Sequence, residues 1–483
     1  MPTRVLDIGD SATPPRIFVT HGRMGEYATL SYCWGKDYQQ PITTTLNLEH
    51  RRTTLYLTSL PPVFQDAIKI VRRLGYRYLW IDSLCILQNS VDDWNAELVK
   101  MQQYYIGSSL NIIAAAAEDP TCGIFDSADL LRDGVRYANS HWARFIQGQN
   151  FVQTRAWTLQ EEILPPRSIL YTNGGIYWLC NHESFTETSP ALPLTKGRCL
   201  HSASHNKLLF NLAVRWDKQY QRALPKQKDE DNERFFYWWY EILNEYVERE
   251  LSFDRDRLPG IAGLAKEFAR RTNAQYLCGL WRESFITGLC WNGNGVRNKS
   301  SEYLGPTWSW ATVDPMNKDG FRLCYIRHLD ETSFLDPDNT AEFVDIHVVN
   351  EAQDPYGRVK EGVVILEGPS RKLNTLSDPF YVDSFQGTRG SSDQIRCTLD
   401  DQSGYSADSS GFAHPDSIYL RLGRWRSIFE DEPHEIFALL LEPTGKRNVH
   451  FSEYIEYRRV GLAEFPPNDE LTEGWIKQKV TII

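Results

Sequence analysis

Apolar spacings divide the chain into an amino-terminal third of interleaved strands and helices and a carboxyl half of short strands. Tyr27-Ala-Thr-Leu-Ser-Tyr-Cys33 alternates until Trp34-Gly35 and reads as a first buried strand. Behind Pro61-Pro62, the residues Val63, Phe64, Ala67, Ile68, Val71 and Leu74 recur at three-to-four spacing and stop at Gly75, the pattern of a helix entered after proline and left at glycine. Tyr76 to Ile81 reads as the next strand. Its carboxyl end delivers Asp82, Ser83 and Cys85 into a loop, where open α/β sheets place ligand-contacting groups. From Asp93, the residues Trp94, Leu98, Met101 and Tyr105 mark one face of a helix, and Ser109 to Ala117 reads as a third strand. A loop of roughly thirty residues, Glu118 to Asn150, has the length of a functional or mobile segment. Arg155 to Leu164 then predicts a short helix closed by Pro165-Pro166. The strands Ser168 to Tyr171 and Ile176 to Cys180 join through Thr172-Asn-Gly-Gly175, whose Asn-Gly favours a tight hairpin.

Beyond about residue 190 the pattern changes. Residues 206 to 272 read as helical around a charge-dense stretch, Lys226 to Arg234, that reads as a solvated loop. Phe235 to Tyr240 are six successive aromatics, too many for one helical face, so some are expected to meet a neighbouring domain or line a cavity. After Trp310, segments such as Phe343 to Val349, Gly362 to Leu366 and Ile418 to Leu422 predict an antiparallel β-rich region. The expected organisation is an α/β domain with a mostly parallel sheet over 1–190, a helical region over 191–300 and a β-rich domain over 301–483.

Length and charge agree with this division. A chain of 483 residues exceeds the roughly 250 to 300 that one core supports. A net charge of −11 argues against a protein that coats nucleic acid or an anionic membrane. The first residues contain no apolar leader core, and no stretch approaches the roughly 18 apolar residues of a membrane span. Nine scattered cysteines without a CxxC pair argue against a zinc site or a disulfide framework, so a reducing, cytoplasmic setting is expected. Fifteen tryptophans are unusually many and supply amphipathic anchors throughout.

Three of these segments, in order, resemble the blocks of the fungal heterokaryon incompatibility (HET) domain family. They are Tyr27-Ala-Thr-Leu-Ser-Tyr-Cys-Trp-Gly35, Arg77-Tyr-Leu-Trp-Ile-Asp-Ser-Leu-Cys-Ile-Leu-Gln88 and Arg155-Ala-Trp-Thr-Leu-Gln-Glu161. Asp256 to Gly263, Gly279-Leu-Trp281 and Pro306-Thr-Trp-Ser-Trp310 are similar to segments that commonly follow the domain. Many relatives carry Asp directly after the first block, where Lys36 and then Asp37 stand here. HET domains in turn resemble TIR domains, which implies a flavodoxin-like sheet. NAD-cleaving TIR domains place a catalytic Glu on a short helix after the third strand, at the spacing of Trp157-Thr-Leu-Gln-Glu161. By that resemblance Glu161 would stabilise a ribosyl cation as nicotinamide leaves, as carboxylates do in glycoside hydrolysis.

The residues themselves leave alternatives open. Glu161 is a catalytic or ligand-contacting carboxylate, or a solvated group near a helix end; its neighbour Glu162 is expected in solvent. Trp157 lies on the same helical face as Glu161 and either stacks on a ligand or packs in the core. Asp82 accepts ribose hydroxyls or acts as a base, or else forms a turn. Cys85 has no histidine within its block, and a dyad would have to recruit His141 or His182. Trp34 and Gly35 end the first strand without a GxGxxG cradle, which disfavours NAD as a redox cofactor but not as a substrate held by stacking. Arg155 pairs with a phosphate or carboxylate of a ligand, or with a structural partner. Catalytic roles therefore fall to Glu161 and Asp82, and substrate contacts to Trp34, Ser83, Cys85, Arg155 and Trp157, with no metal and no required cofactor.

Three functions fit. The first is an effector of nonself recognition and cell death that hydrolyses NAD. The second is a HET-fold enzyme of fungal secondary metabolism working on a hydrophobic small molecule by acid/base dehydration, cyclisation or isomerisation. The third is a non-catalytic module that assembles with itself or with another HET protein.

Overall fold

The computed structural model describes residues 1–10, 13–35, 38–125, 151–173, 175–181, 183–187, 230–292, 296–297, 302–314, 324–325, 340–352, 354–373, 380–382, 395–400, 414, 416–425, 435–465 and 474–483. The chain falls into two compact units, Met1–Leu212 and Ala213–Ile483. The boundary expected near 190, most of the loop 118–150, Lys36, Asp37, His141, His182 and the helical stretch 206–229 lie outside the described residues.

The first unit is built on an eight-stranded sheet in the order β2-β1-β4-β3-β5-β6-β7-β8. Its strands are β1 (Arg4–Asp7), β2 (Arg16–Val19), β3 (Ala28–Ser31), β4 (Tyr78–Trp80), β5 (Leu110–Ile113), β6 (Arg167–Thr172), β7 (Gly175–Cys180) and β8 (Ser184–Thr186). At the centre β4, β3, β5 and β6 run parallel. Antiparallel strands flank them on both sides. The sheet is thus mixed where a mostly parallel one is expected, because hairpins that need only tight turns extend a core whose parallel connections require crossovers. Thr172 pairs with Gly175 across the turn read from Asn-Gly.

Strands β1 and β2 precede the segment expected to be the first strand. Each is four residues long and starts with arginine, too short and too charged to show alternation. The structure absorbs those charges. Asp7 is 4% exposed, and Arg77 donates to it at 2.9 and 3.0 Å. Burial alone would raise its carboxyl, but the bonds and charge of Arg77, with Gly9 and Arg16, hold it below the usual carboxylate range.

The helix Pro62–Arg73 buries Val63, Phe64, Ala67, Ile68 and Val71, as its spacing predicts, and Ile70 beside them, whereas Leu74, expected on the same face, caps the helix and is exposed. The helix Val91–Ile106 starts at Ser90, whose side chain accepts the Asp93 N–H. Its buried residues are Glu97, Tyr104 and Tyr105; of the predicted stripe only Tyr105 is fully buried, while Trp94, Leu98 and Met101 are half-buried, so the core-facing side is rotated toward Glu97 and Tyr104. Glu97 can occupy that face because it accepts from Thr3 Oγ1 at 2.7 Å and from the Tyr104 hydroxyl at 2.8 Å.

The second unit combines the helices Glu230–Val247, Arg257–Thr272 and Phe285–Gly288 with short and long strands. From Glu230 onward the charge-dense stretch is helical, correcting the expected loop; acidic residues suit a helix amino terminus. Phe236 and Trp239 pack on Phe268 and Trp281, with Trp239 5.3 and 5.1 Å from them, so part of the aromatic run finds its partners within the unit. Six two-residue strands follow: β9 (Tyr276–Leu277), β10 (Leu280–Trp281), β11 (Trp291–Asn292), β12 (Val296–Arg297), β13 (Val313–Asp314) and β14 (Cys324–Tyr325). Gly279, between β9 and β10, has φ +100, and a Cβ there would lie 2.5 Å from Trp310 Nε1, which donates to the Gly279 carbonyl at 3.0 Å. Gly279→Ala is expected to cost about 1–3 kcal/mol, read as a shifted denaturation midpoint with an unchanged slope.

The β-rich region predicted from alternation is a second eight-stranded sheet: β15 (Glu342–Asn350), β16 (Val359–Lys372), β17 (Phe380–Val382), β18 (Ile395–Leu399), β19 (Ile418–Trp425), β20 (Glu435–Arg447), β21 (Ile455–Phe465) and β22 (Ile476–Ile482). Strand β16 pairs with β15, β19 and β22, and β22 also pairs with β21. The strands β16, β19, β20, β21 and β22 therefore close a ring of pairings, as in a small barrel. Arg459 on β21 is fully buried. Its guanidinium meets Asp400 at 3.0 Å, donates to the carbonyls of Leu289 and Trp291 at 2.7 and 2.6 Å, and lies 3.3 Å from the centre of the Trp291 ring.

Candidate active site

The site lies in the first unit, where the parallel strands run out. The chain leaves β3 into Tyr32, Cys33 and Trp34, and leaves β4 through Ile81 into the one-turn helix Asp82–Cys85. After β5, a turn of 3₁₀ helix over Phe151–Thr154 leads into the helix Thr158–Ile163 that carries Glu161. Gly35 makes the exit from β3 possible: its φ is +76, and a Cβ would lie 2.7 Å from Asp119 Cβ.

Asp82 is fixed by two donors, the Ser83 N–H to Oδ1 at 2.7 Å and the Trp34 indole N–H to Oδ2 at 2.9 Å. Tyr32 extends this set, its hydroxyl donating to Gln40 Oε1 at 2.6 Å and bonded to Ser83 Oγ at 3.0 Å. Arg155 donates to the Tyr32 carbonyl at 3.2 Å and stands 5.9 Å from the centre of the Trp34 ring. Asn111, from β5, bonds Thr29 Oγ1 at 2.8 Å and Ser31 Oγ at 3.1 Å and donates to the backbone carbonyl of Glu161 at 2.8 Å. A buried amide thereby ties two parallel strands to the helix that carries the acid.

The two carboxyls sense one another. Burial raises Glu161 to about 7; the Asp82 charge adds to the rise, while bonds to Ser31 and Tyr105 and the Arg155 charge oppose it. Burial also raises Asp82, against the Arg155 charge and the donors Ser83, Trp34 and Tyr32. At neutral pH Glu161 thus sits near half ionisation, able to hold a proton or to present a negative charge, with a guanidinium facing the pair.

Of the residues singled out from sequence, Trp34, Asp82, Ser83, Arg155 and Glu161 come together in this network. Trp157 stands half-buried as the residue before the helix, one turn from Glu161. Cys85 is enclosed, its thiol pushed up to about 12 by burial, and its carbonyl accepts from Arg4 at 2.7 Å; this describes a packed cysteine rather than a nucleophile. Glu162, expected in solvent about 100° round the helix, is 1% exposed. Every residue of Thr158–Ile163 is buried, so no face of that helix looks outward. Ser31, Tyr32, Tyr105 and Asn111 escaped the sequence reading. The polar Asn111 within an otherwise apolar strand is the one signal that marked them.

Fold and site define a mixed α/β domain that gathers two carboxyls, an arginine and an indole at the carboxyl ends of its parallel strands. Residues 27–161, from the entry of β3 through Glu161 itself, match the family model described as Heterokaryon incompatibility protein (HET). No curated protein and no solved structure matches the chain. Among the described residues no helix is long and apolar enough to cross a membrane.

Proposed function

We propose that the HET domain hydrolyses NAD to nicotinamide and ADP-ribose, and that this reaction is the effector chemistry of a nonself-recognition and cell-death protein. The observation that carries the reading is Glu161: a buried carboxyl, raised to about 7, on the short helix that follows the third parallel strand in chain order, beside Asp82 and Arg155. The placement matches what the TIR resemblance implies. In the reaction the bond from ribose C1′ to the nicotinamide nitrogen breaks, its electron pair leaves with nicotinamide, and water adds to C1′ and gives up a proton. Ionised Glu161 stabilises the positive charge that develops at C1′. Asp82, oriented by Trp34 and Ser83, takes a ribose hydroxyl, and Arg155 a phosphate.

Purified full chain incubated with NAD is expected to release nicotinamide, with turnover rising as pH increases through about 7, because the ionised acid is the active form. Glu161→Gln is expected to lower turnover by about a hundredfold or more. Absence of turnover in the wild type, or equal turnover in the variant, overturns the proposal.

A further inference from the structure

We propose that the second unit holds a divalent transition-metal site of the zinc type, formed by His347, Glu361 and His450. The three residues are far apart in sequence, and strand register brings two of them together. His347 on β15 pairs with Val363, and Val349 pairs with Glu361 on β16. His347 and Glu361 are therefore diagonal neighbours on the same face of the sheet. His450 arrives on the loop between β20 and β21. That loop is shaped by Asn448, which is buried, accepts the His450 N–H at 2.9 Å and donates to Glu456 at 2.8 Å.

One ligand atom from each residue lies within 4.8 Å of the other two. The His450 Nε2 and Glu361 Oε1 atoms are 3.0 Å apart. Zinc bonds of about 2.0–2.1 Å at tetrahedral angles place ligand atoms about 3.3 Å apart, so closing the set takes a shift of about an ångström. An exposed loop residue can supply that movement. Two further features point to a ligand. The Nε2 of His347 is buried without a hydrogen-bond partner, a state that costs free energy unless something fills it. The His347 and His450 rings also lie face to face with centroids 3.8 Å apart, which brings both imidazoles to one place beside Glu361. Two imidazoles and a carboxylate are the donor set of zinc sites that keep a fourth position for water. The alternative without a cation is a hydrogen bond between His450 and Glu361 beside a stacked histidine.

The test is metal binding by the full chain. After treatment with a chelator and dialysis, titration with Zn²⁺ is expected to show one site, and Co²⁺ in its place is expected to give the absorption of a nitrogen- and oxygen-ligated ion without thiolate charge-transfer bands. His450→Ala, in an exposed loop, and Glu361→Gln, nearly isosteric, are each expected to weaken binding at least tenfold. His414→Ala, an exposed histidine elsewhere in the unit, is expected to leave binding unchanged. No stoichiometric binding, affinity unaffected by both His450→Ala and Glu361→Gln, or thiolate bands from the cysteines would overturn the proposal.

Discussion

Replacing Glu161 with glutamine is expected to make the folded protein more stable above pH 7, by about 3 kcal/mol, while removing the proposed activity. In the folded chain this carboxyl keeps its proton up to about 7, chiefly because it is buried, against an ordinary value of 4.5. Between those values the native state binds the proton and the unfolded chain has released it. Stability therefore falls as pH rises through that window. The contribution of the protonated acid is complete below about 4.5 and gone above about 7. Glutamine has no charge to bury, so the variant and the wild type should coincide near pH 4.5 and separate toward pH 8. Urea midpoints at several pH values across this range measure the effect. Parallel curves for the two proteins would mean that Glu161 ionises as freely in the fold as in water, and the electrostatic basis of the site would be lost. Enzymes commonly accept such a stability cost to hold a charged group ready in a water-poor setting.

Asp400→Ala is expected to destabilise the second unit by about 3–5 kcal/mol. The carboxylate meets a guanidinium that has no exposed surface, and alanine would remove an anionic partner from that buried charge. The carbonyls of Leu289 and Trp291 and the ring of Trp291 are dipolar or quadrupolar partners that cannot neutralise it. Arg459→Met, which removes the charge and keeps much of the volume, is expected to cost clearly less. Unfolding followed by tryptophan fluorescence compares the two. A larger loss for Arg459→Met would place the energy of this cluster in the bonds to the carbonyls rather than in the ion pair.

The elements that the sequence made legible are those whose burial follows a simple period. The helix Pro62–Arg73 and the turn between β6 and β7 are written in apolar spacing and in Asn-Gly. Strands β1 and β2 were hidden because their stability depends on a charge pair between Asp7 and Arg77, seventy residues apart, which no local window contains. The same reason explains the face of the helix Val91–Ile106, where a hydrogen-bonded Glu97 replaces an apolar residue. At the site, residues at strand ends within family-like blocks could be named in advance. Ser31 and Asn111 act through contacts between paired strands, and Tyr105 reaches Glu161 from a helix more than fifty residues earlier, neither of which a linear reading contains. The cluster of His347, Glu361 and His450 was illegible for the same cause, since only register and a loop bring them together.

The closed ring of strands in the second unit has a consequence for how that unit is made. Val364 on β16 pairs with Ile482 on β22, more than a hundred residues further along. During synthesis β16 leaves the ribosome with one of its edges still unpaired, and that edge waits until β22 has emerged. The interval exposes an apolar strand whose Val363, Val364, Ile365 and Leu366 are all buried once the ring is complete. Closure over such a distance is slow because its entropy cost comes before any contact repays it. A nascent chain stalled before residue 476 should therefore be the form of this protein that chaperones hold longest.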